Sequence, residues 1–220
     1  MSTRAFEVAL RQGLVDLGLT LADGQITQLL DYQDLLQKWN RVYNLTAVRD
    51  PKDMLTHHLL DSLSVVAPLQ RHLRLRPESA RPRLLDVGAG AGLPGVVVAI
   101  CCPGIQVTCV DAVAKKMAFV RQVQVALRLP NLKALHARVE TLPGAYDLVC
   151  SRAFASLVDF VQGTRKLLAP GACWLAMKGQ EPVDEMAALP VDVAVFHVEP
   201  LVVPALDAQR CIVWMEPASS

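Results

Sequence analysis

The stretch from Leu84 to Gly95, Leu-Leu-Asp-Val-Gly-Ala-Gly-Ala-Gly-Leu-Pro-Gly, constrains this chain more than any other. A short apolar strand, Arg83 to Val87, runs into three glycines spaced by two: Gly88, Gly90 and Gly92. Pro94 then opens a helix, since its φ is already helical and its missing N–H is not needed in a first turn. Glycine reaches positive φ without steric cost and lets a ligand lie against the main chain. A strand, a glycine turn and a helix N-terminus in succession build a nucleotide-type site, with backbone N–H groups turned to the ligand. Two registers compete. Gly90-x-Gly92-x-x-Gly95 formally matches the dinucleotide fingerprint, a weak signal when it stands alone. Asp86-x-Gly88-x-Gly90-x-Gly92 starts where the strand ends, which is where the tight turn must fall. It also sets the Asp86 carboxylate beside the turn, where it favours a cationic sulfonium bearing an ammonium group over an anionic pyrophosphate. A dinucleotide site and a purely structural turn remain the alternatives.

The rest of the chain is expected to supply a large core. Of 220 residues, 52% are hydrophobic and 20% charged, and the formal net charge is +1. A bulk nucleic-acid binder shows a stronger basic excess, so any RNA affinity must come from a local patch or a shaped pocket. Cys101, Cys102, Cys109, Cys150, Cys173 and Cys211 form no Cys-x-x-Cys pair and suit neither zinc nor a disulfide framework. They read as reduced core residues of a cytoplasmic protein, with no metal. The chain starts without a charged region followed by an apolar run. The longest apolar stretch, around Val96 to Cys102, is too short to cross a bilayer, so no membrane partner is expected.

Residues 1–80 read as a helical extension and residues 81–220 as the ligand-binding domain. Helices are predicted from Ala5 to Leu17, then through Ile26, Leu29, Leu30, Leu35, Leu36 and Trp39 with Thr20 as cap and Asp23 as capping-box acid. A third is predicted from Lys52 to about Leu69, opened by Pro51, and Arg71 to Arg83 as a connector. Strands are predicted at Arg83–Val87, Gln106–Val110, Leu132–His136, Tyr146–Ser151, Cys173–Met177, Val193–Pro200 and Cys211–Glu216. Helices are predicted between them at Pro94–Cys101, Ala114–Leu127, Leu157–Leu168 and Val183–Leu189. The alternation gives an α/β fold, a parallel sheet covered on both faces. The last two strands lack a helix between them and are expected to form a hairpin, with one antiparallel strand.

Strand C-termini carry the ligand site in open α/β sheets. Asp111 ends the second strand and is placed to accept ribose hydroxyls or to cap the next helix. Val139 and Glu140 follow the third strand, Glu140 bordering the ligand or standing as a solvated acid. Arg152 ends the fourth strand, a position rarely chosen for packing. Cys150 sits inside an apolar strand and reads as core, not nucleophile. Asn44 reads either a base edge or phosphate, or caps a helix. His58 is the site histidine of the His57–His58 pair, with Asp61 orienting it or an arginine. Lys178 ends the fifth strand and meets phosphate or solvent. Arg71, Arg74, Arg76, Arg81, Arg83, Lys115 and Lys116 are further candidates for phosphate contact or for a solvated surface.

The Asp-x-Gly-x-Gly-x-Gly register resembles the first motif of class I methyltransferases that use S-adenosylmethionine (SAM). Seven strands ending in a hairpin match their Rossmann-like mixed sheet. A more specific resemblance joins the two parts of the chain. Trp39-Asn40-x-x-x-Asn44-Leu45-Thr46, Asp50-Pro51 and His58-x-x-Asp61-Ser62 lead into the glycine loop. Arg138-Val139-Glu140, Ser151-Arg152-Ala153-Phe154-Ala155-Ser156-Leu157, Met177-Lys178-Gly179, Val203-Pro204-Ala205-Leu206-Asp207 and Arg210 follow it. This ordered set resembles the ribosomal RNA small subunit methyltransferase G family, also called the glucose-inhibited division protein B family. The resemblance implies methyl transfer from SAM to N7 of a guanine, nucleotide 527, in 16S ribosomal RNA, within the small subunit or an assembly intermediate. It implies no obligate protein partner. It implies SAM contacts at Gly88, Leu93, Val139, Glu140 and Arg152, beside Asp86, Gly90 and Asp111 from the loop reading. Arg152, His58 and Asn44 are the catalytic candidates, and Asn44, His58, Asp61 and Lys178 the RNA-facing ones. N7 carries a free lone pair, so positioning groups are expected rather than a general base. A SAM-binding ribosome assembly factor, or a methyltransferase with another substrate, is the competing reading.

Overall fold

The computed structural model describes residues 3–74, 81–153 and 156–218. In chain order the elements are α1 (Thr3–Asp16), α2 (Asp23–Tyr43), α3 (Pro51–Met54), a π-helical turn (Leu55–Leu60), α4 (Asp61–Leu63) and α5 (Val66–Arg74). There follow β1 (Arg83–Val87), α6 (Gly95–Cys101), β2 (Gln106–Asp111), α7 (Ala114–Ala126), β3 (Leu132–His136) and β4 (Tyr146–Arg152). The chain continues through α8 (Leu157–Thr164), β5 (Leu168–Lys178), α9 (Val183–Ala187), β6 (Val193–Leu201) and β7 (Arg210–Pro217). Of the predicted features, Arg76 and the pair Phe154–Ala155 lie outside the described residues.

The seven strands form one sheet in the order β3-β2-β1-β4-β5-β7-β6. β1 pairs in parallel with β2 and β4, and β4 with β5. β7 runs antiparallel between β5 and β6, the hairpin expected from the missing helix. This is the class I SAM-dependent methyltransferase topology. The order reverses between β1 and β4, and a crevice opens at such a switch point beyond the strand C-termini.

Side chains alternate across the sheet and feed two cores. Leu84, Cys109, Leu148, Cys150 and Ile212 face one side, where they pack with Leu29, Tyr32, Leu63, Val66 and Val97 of the helices. Leu85, Val149, Trp174 and Val213 face the other, against Phe160 and Val161 of α8. The N-terminal helices therefore share one continuous apolar core with the sheet. All six cysteines are buried, and none is in a disulfide among the described residues. No helix is long and apolar enough to cross a membrane among the described residues.

Several boundaries differ from the sequence expectation. Thr20 does not cap α2; Gln25 accepts the Ala22 N–H at 3.0 Å instead, three residues into the turn. The single helix predicted from Lys52 to Leu69 is broken, with a wide turn at Leu55–Leu60 and a second break before Val66. Asp50 caps α3 by accepting the Lys52 N–H at 2.7 Å, and the buried His58 and Asp61 lie in and just after the wide turn. The connector predicted from Arg71 is helical to Arg74. Pro94 precedes α6 rather than opening it, and α9 ends at Ala187. α8 stops at Thr164, whose hydroxyl turns back to the Phe160 carbonyl and accepts the Trp174 indole N–H at 2.8 Å. That lets β5 begin at Leu168, earlier than apolar patterning indicated.

Gly95, the first residue of α6, lies against side chains of β2 and β1. A Cβ there would lie 2.5 Å from Cys109 Sγ and 2.7 Å from Asp86 Oδ2. Both neighbours are rigid, so Gly95→Ala overpacks the interior and is expected to cost about 1–3 kcal/mol. Urea unfolding followed by circular dichroism checks this as a lower midpoint at unchanged slope.

Candidate active site

The glycine loop takes its shape from backbone geometry and from two carboxylates. Gly88, Gly90 and Gly92 have φ of 65°, 59° and 91°, values that side chains disfavour. Asp86 lies fully buried beneath the loop and accepts the Gly95 N–H through Oδ2 at 2.8 Å. Asp111 accepts the Gly90 N–H at 3.0 Å and the Val113 N–H at 2.8 Å. A third tie comes from outside the sheet: the Tyr32 hydroxyl of α2 donates to the Ala91 carbonyl at 2.8 Å. Burial holds the Tyr32 phenol well above its usual pKa, so it remains a donor.

Two hollows meet at this loop. One, of about 570 Å³, is lined by Leu45, Thr46, His58, Asp61, Gly88, Gly90, Leu93, Arg152, Lys178 and Arg210 among others. The other, of about 310 Å³, is lined by Asp111, Val139 and Glu140. They share Gly88, Lys116 and Ala153, so together they run along the C-terminal edge of the sheet past β1. A Cβ on Gly90 would meet nothing nearer than the Gly88 carbonyl at 3.9 Å, so the bare loop opens space for a ligand.

The N-terminal helices close the larger hollow. Asp61, 3% exposed, holds two guanidiniums at once. Its Oδ2 accepts from Arg152 Nη1 at 2.8 Å and its Oδ1 from Arg210 Nε at 3.0 Å. Arg152 Nη1 also donates to the His57 carbonyl at 3.0 Å, a group presented by the π-helical turn. Two cations and one anion leave this node positive. His58 packs beside it, with Nε2 2.9 Å from the Thr46 hydroxyl. The buried Asn40 amide fixes that loop, accepting the Thr46 N–H at 2.9 Å and donating to the Val48 carbonyl at 3.1 Å.

The sequence candidates thus separate. Gly88, Gly90, Leu93, His58, Asp61, Arg152 and Lys178 line the larger hollow, and Asp111, Val139 and Glu140 the smaller. Asp86 does not reach either; its carboxylate points into the core and shapes the loop through Gly95, so the charge argument for a sulfonium is replaced by a scaffolding one. Asn44 also stays out of both. It caps α2 at φ 48° and faces another depression, because the left-handed cap turns it away from the cleft. Asp111 does not cap α7, which begins beyond Val113. Lys178 is paired with Glu185 at 2.8 Å, which draws its ammonium toward α9. The basic candidates scatter: Arg71 pairs with Glu199, Lys116 with Asp111, and Lys115 donates to the Tyr43 carbonyl. The roles of Tyr32 and Asn40 were not read from the sequence; their signals were a polar group on the apolar face of α2 and, for Asn40, its place in the Trp39-Asn40 motif.

Comparison with known proteins identifies the chain's relatives. The model of the rRNA small subunit methyltransferase G family matches residues 25–213. The chain belongs to that family. A ribosomal RNA small subunit methyltransferase G of Acidovorax sp. (strain JS42) is 61% identical over 223 residues, covering 100% of this chain and 99% of that one. Its counterpart in Albidiferax ferrireducens is 63% identical over 218 residues, covering 96% and 97%. Solved structures share the fold. Magnesium protoporphyrin IX methyltransferase of Synechocystis PCC 6803, with bound SAH, superposes with a TM-score of 0.58 at 15% identity, covering 87% of this chain and 100% of that one. TrmN of Thermus thermophilus gives 0.55 at 21% identity, covering 74% and 53%.

Two buried titratable groups near the loop respond oppositely to pH. Burial, with the Arg152 charge, pushes His58 down from 6.5 to about 4. The unfolded chain binds that proton more readily, so this contribution favours folding above about pH 6.5 and is lost as pH falls toward 4. Burial pushes Asp86 up from 3.8 to about 7. There the folded state holds the proton, so the contribution is present below 3.8 and is lost as pH rises through 7. Asp86→Asn keeps an acceptor for Gly95. Its stability relative to the parent is expected to be higher at about pH 8 than at about pH 5, read from urea midpoints at both pH values.

Proposed function

We propose that this chain transfers the methyl group of S-adenosylmethionine to N7 of a guanine, nucleotide 527, in 16S ribosomal RNA. The observation carrying this reading is the joined pair of hollows with Arg152 and Asp61 where they meet the N-terminal helices. The names of the full-length relatives support the substrate. SAM supplies an electrophilic methyl group on a sulfonium. The smaller hollow suits its nucleoside half: Asp111 has lone pairs left for ribose hydroxyls, Val139 offers an apolar wall, and Glu140 stands at the rim. The larger hollow suits the amino-acid half beside the bare backbone of Gly88 and Gly90, with Arg152 able to meet a carboxylate. The acceptor base then enters from the side of His58, Thr46 and Arg210.

The chemistry asks little proton transfer of these residues. Guanine N7 is an unprotonated lone pair and attacks the methyl carbon directly, with the bond to sulfur breaking in line. His58 is neutral near pH 7 and its Nε2 is engaged by Thr46. It therefore serves to shape the acceptor side rather than to shuttle a proton. Rate comes from holding nucleophile, carbon and leaving sulfur in line. Asp61 contributes by fixing the Arg152 guanidinium, since a charge already oriented needs no reorganisation during the reaction.

The test is incubation with labelled SAM and small-subunit RNA, or 30S particles, from a strain lacking the modification, followed by mapping of the product. Label on guanine N7 is expected. Label on another atom contradicts the acceptor assignment, and no label in RNA contradicts the reading as a whole. Arg152→Ala is expected to lower methyl transfer by on the order of 100-fold or more in a variant that still folds, with a lower unfolding midpoint because the buried Asp61 keeps only Arg210. Activity close to the parent's removes Arg152 from the site.

A further inference from the structure

Beyond the cleft, across the loop after α2, lies a third hollow of about 320 Å³. Gln37, Asn40, Arg41, Asn44 and Arg49 supply its polar and cationic groups, and Pro51 and Met54 its apolar wall. Arg41 and Arg49 are exposed, and neither has an ion pair or hydrogen bond among the described residues. Exposed cations such as Arg121, Arg128 and Arg138 also lack such partners, but Arg41 and Arg49 line one hollow together. The nearby acid, Asp50, is turned to the Lys52 N–H as the cap of α3. Lys115 adds a further positive charge close by, its ammonium lying 2.7 Å from the Tyr43 carbonyl at the end of α2.

The position is as telling as the charge. One loop separates this hollow from the larger one. Leu45, Thr46 and Val48 line the cleft, while Asn44 and Arg49 line the outer hollow. The loop is pinned between them by Asn40, which holds Thr46 and Val48 by hydrogen bonds. A strand whose base entered the cleft past Thr46 would bring its backbone close to this loop. The first anchoring point it meets is a pair of unpaired guanidiniums with amide groups around them. Guanidinium forks match phosphate oxygens, and amide N–H groups add hydrogen bonds that do not depend on base identity.

We infer that the Arg41–Arg49 hollow is a binding site for backbone phosphate of the RNA strand that presents the acceptor base. This deepens the proposed function and rests on it for the identity of the strand. Asn44 thereby regains a part in RNA recognition, outside the cleft and on the phosphate rather than on a base edge.

The double variant Arg41→Gln/Arg49→Gln tests the inference. Both positions are exposed, so its unfolding midpoint is expected to match the parent. Binding of small-subunit RNA is measured by filter retention across a salt series, with S-adenosylhomocysteine titrated in parallel. The expected result is weaker RNA binding, a salt slope flatter by about 0.7 for each phosphate no longer neutralised, and unchanged S-adenosylhomocysteine affinity. Unchanged RNA affinity and slope overturn the site. Unchanged binding to free RNA with weaker binding to 30S particles also overturns it, pointing to an acidic protein surface. If the parent binds RNA and the variant does not, yet neither methylates it, the phosphate site stands and the proposed function falls.

Discussion

A buried carboxylate accepting one backbone amide holds this molecule's site together. Asp86 directs its Oδ2 to the Gly95 N–H beneath the glycine loop, and α6 starts from that point. An isolated anion in that core is costly, which is why burial drives Asp86 toward the protonated form. The fold tolerates it because the loop needs an acceptor at that strand end; without one, the first amide of α6 would be buried without a partner. The bond sets where α6 begins, how closely it crosses β1, and hence why residue 95 is glycine.

The site has a second half that the sheet does not supply. The N-terminal helices share a core with one sheet face and bring Tyr32, His58 and Asp61 to the strand ends. Two of these tie directly to the sheet domain: Tyr32 to the loop carbonyl, and Asp61 to the guanidiniums of Arg152 and Arg210. The π-helical turn lets His57 offer its carbonyl to Arg152 while His58 turns inward. Wide turns of this kind are frequent at functional positions because they re-aim neighbouring side chains. Removing the helices would therefore take away one wall of the cleft and the tether of its main cation.

Much of the architecture was legible in the chain because periodic apolar patterns report burial directly. β1, β3 and the antiparallel β7 fall where patterning put them, and Arg152 stands at a strand end as expected. Boundaries set by single side chains were not legible. The helix through His58 breaks where buried polar groups lie, a feature that hydrophobic spacing cannot register. Asp86 illustrates a different limit: its position in the motif was clear, but whether its carboxylate faces the ligand or the core depends on the pleat of β1. Asn44 likewise sits beside the cleft in sequence, yet a left-handed cap turns it to the outer surface. Arg210 was visible as part of a motif, while its partnership with Asp61 spans most of the chain and required the fold.

The glycine loop is thus held in ligand-ready shape from both sides, by the sheet's carboxylates and by α2. Tyr32→Phe removes one oxygen atom, keeps the ring in the core and leaves the Ala91 carbonyl without its donor. Calorimetric titration of S-adenosylhomocysteine into parent and variant tests this restraint most directly. The expected result is a folded variant with affinity weaker by roughly fivefold or more, the consequence of losing about 1 kcal/mol of loop restraint. Equal affinity in parent and variant would contradict it.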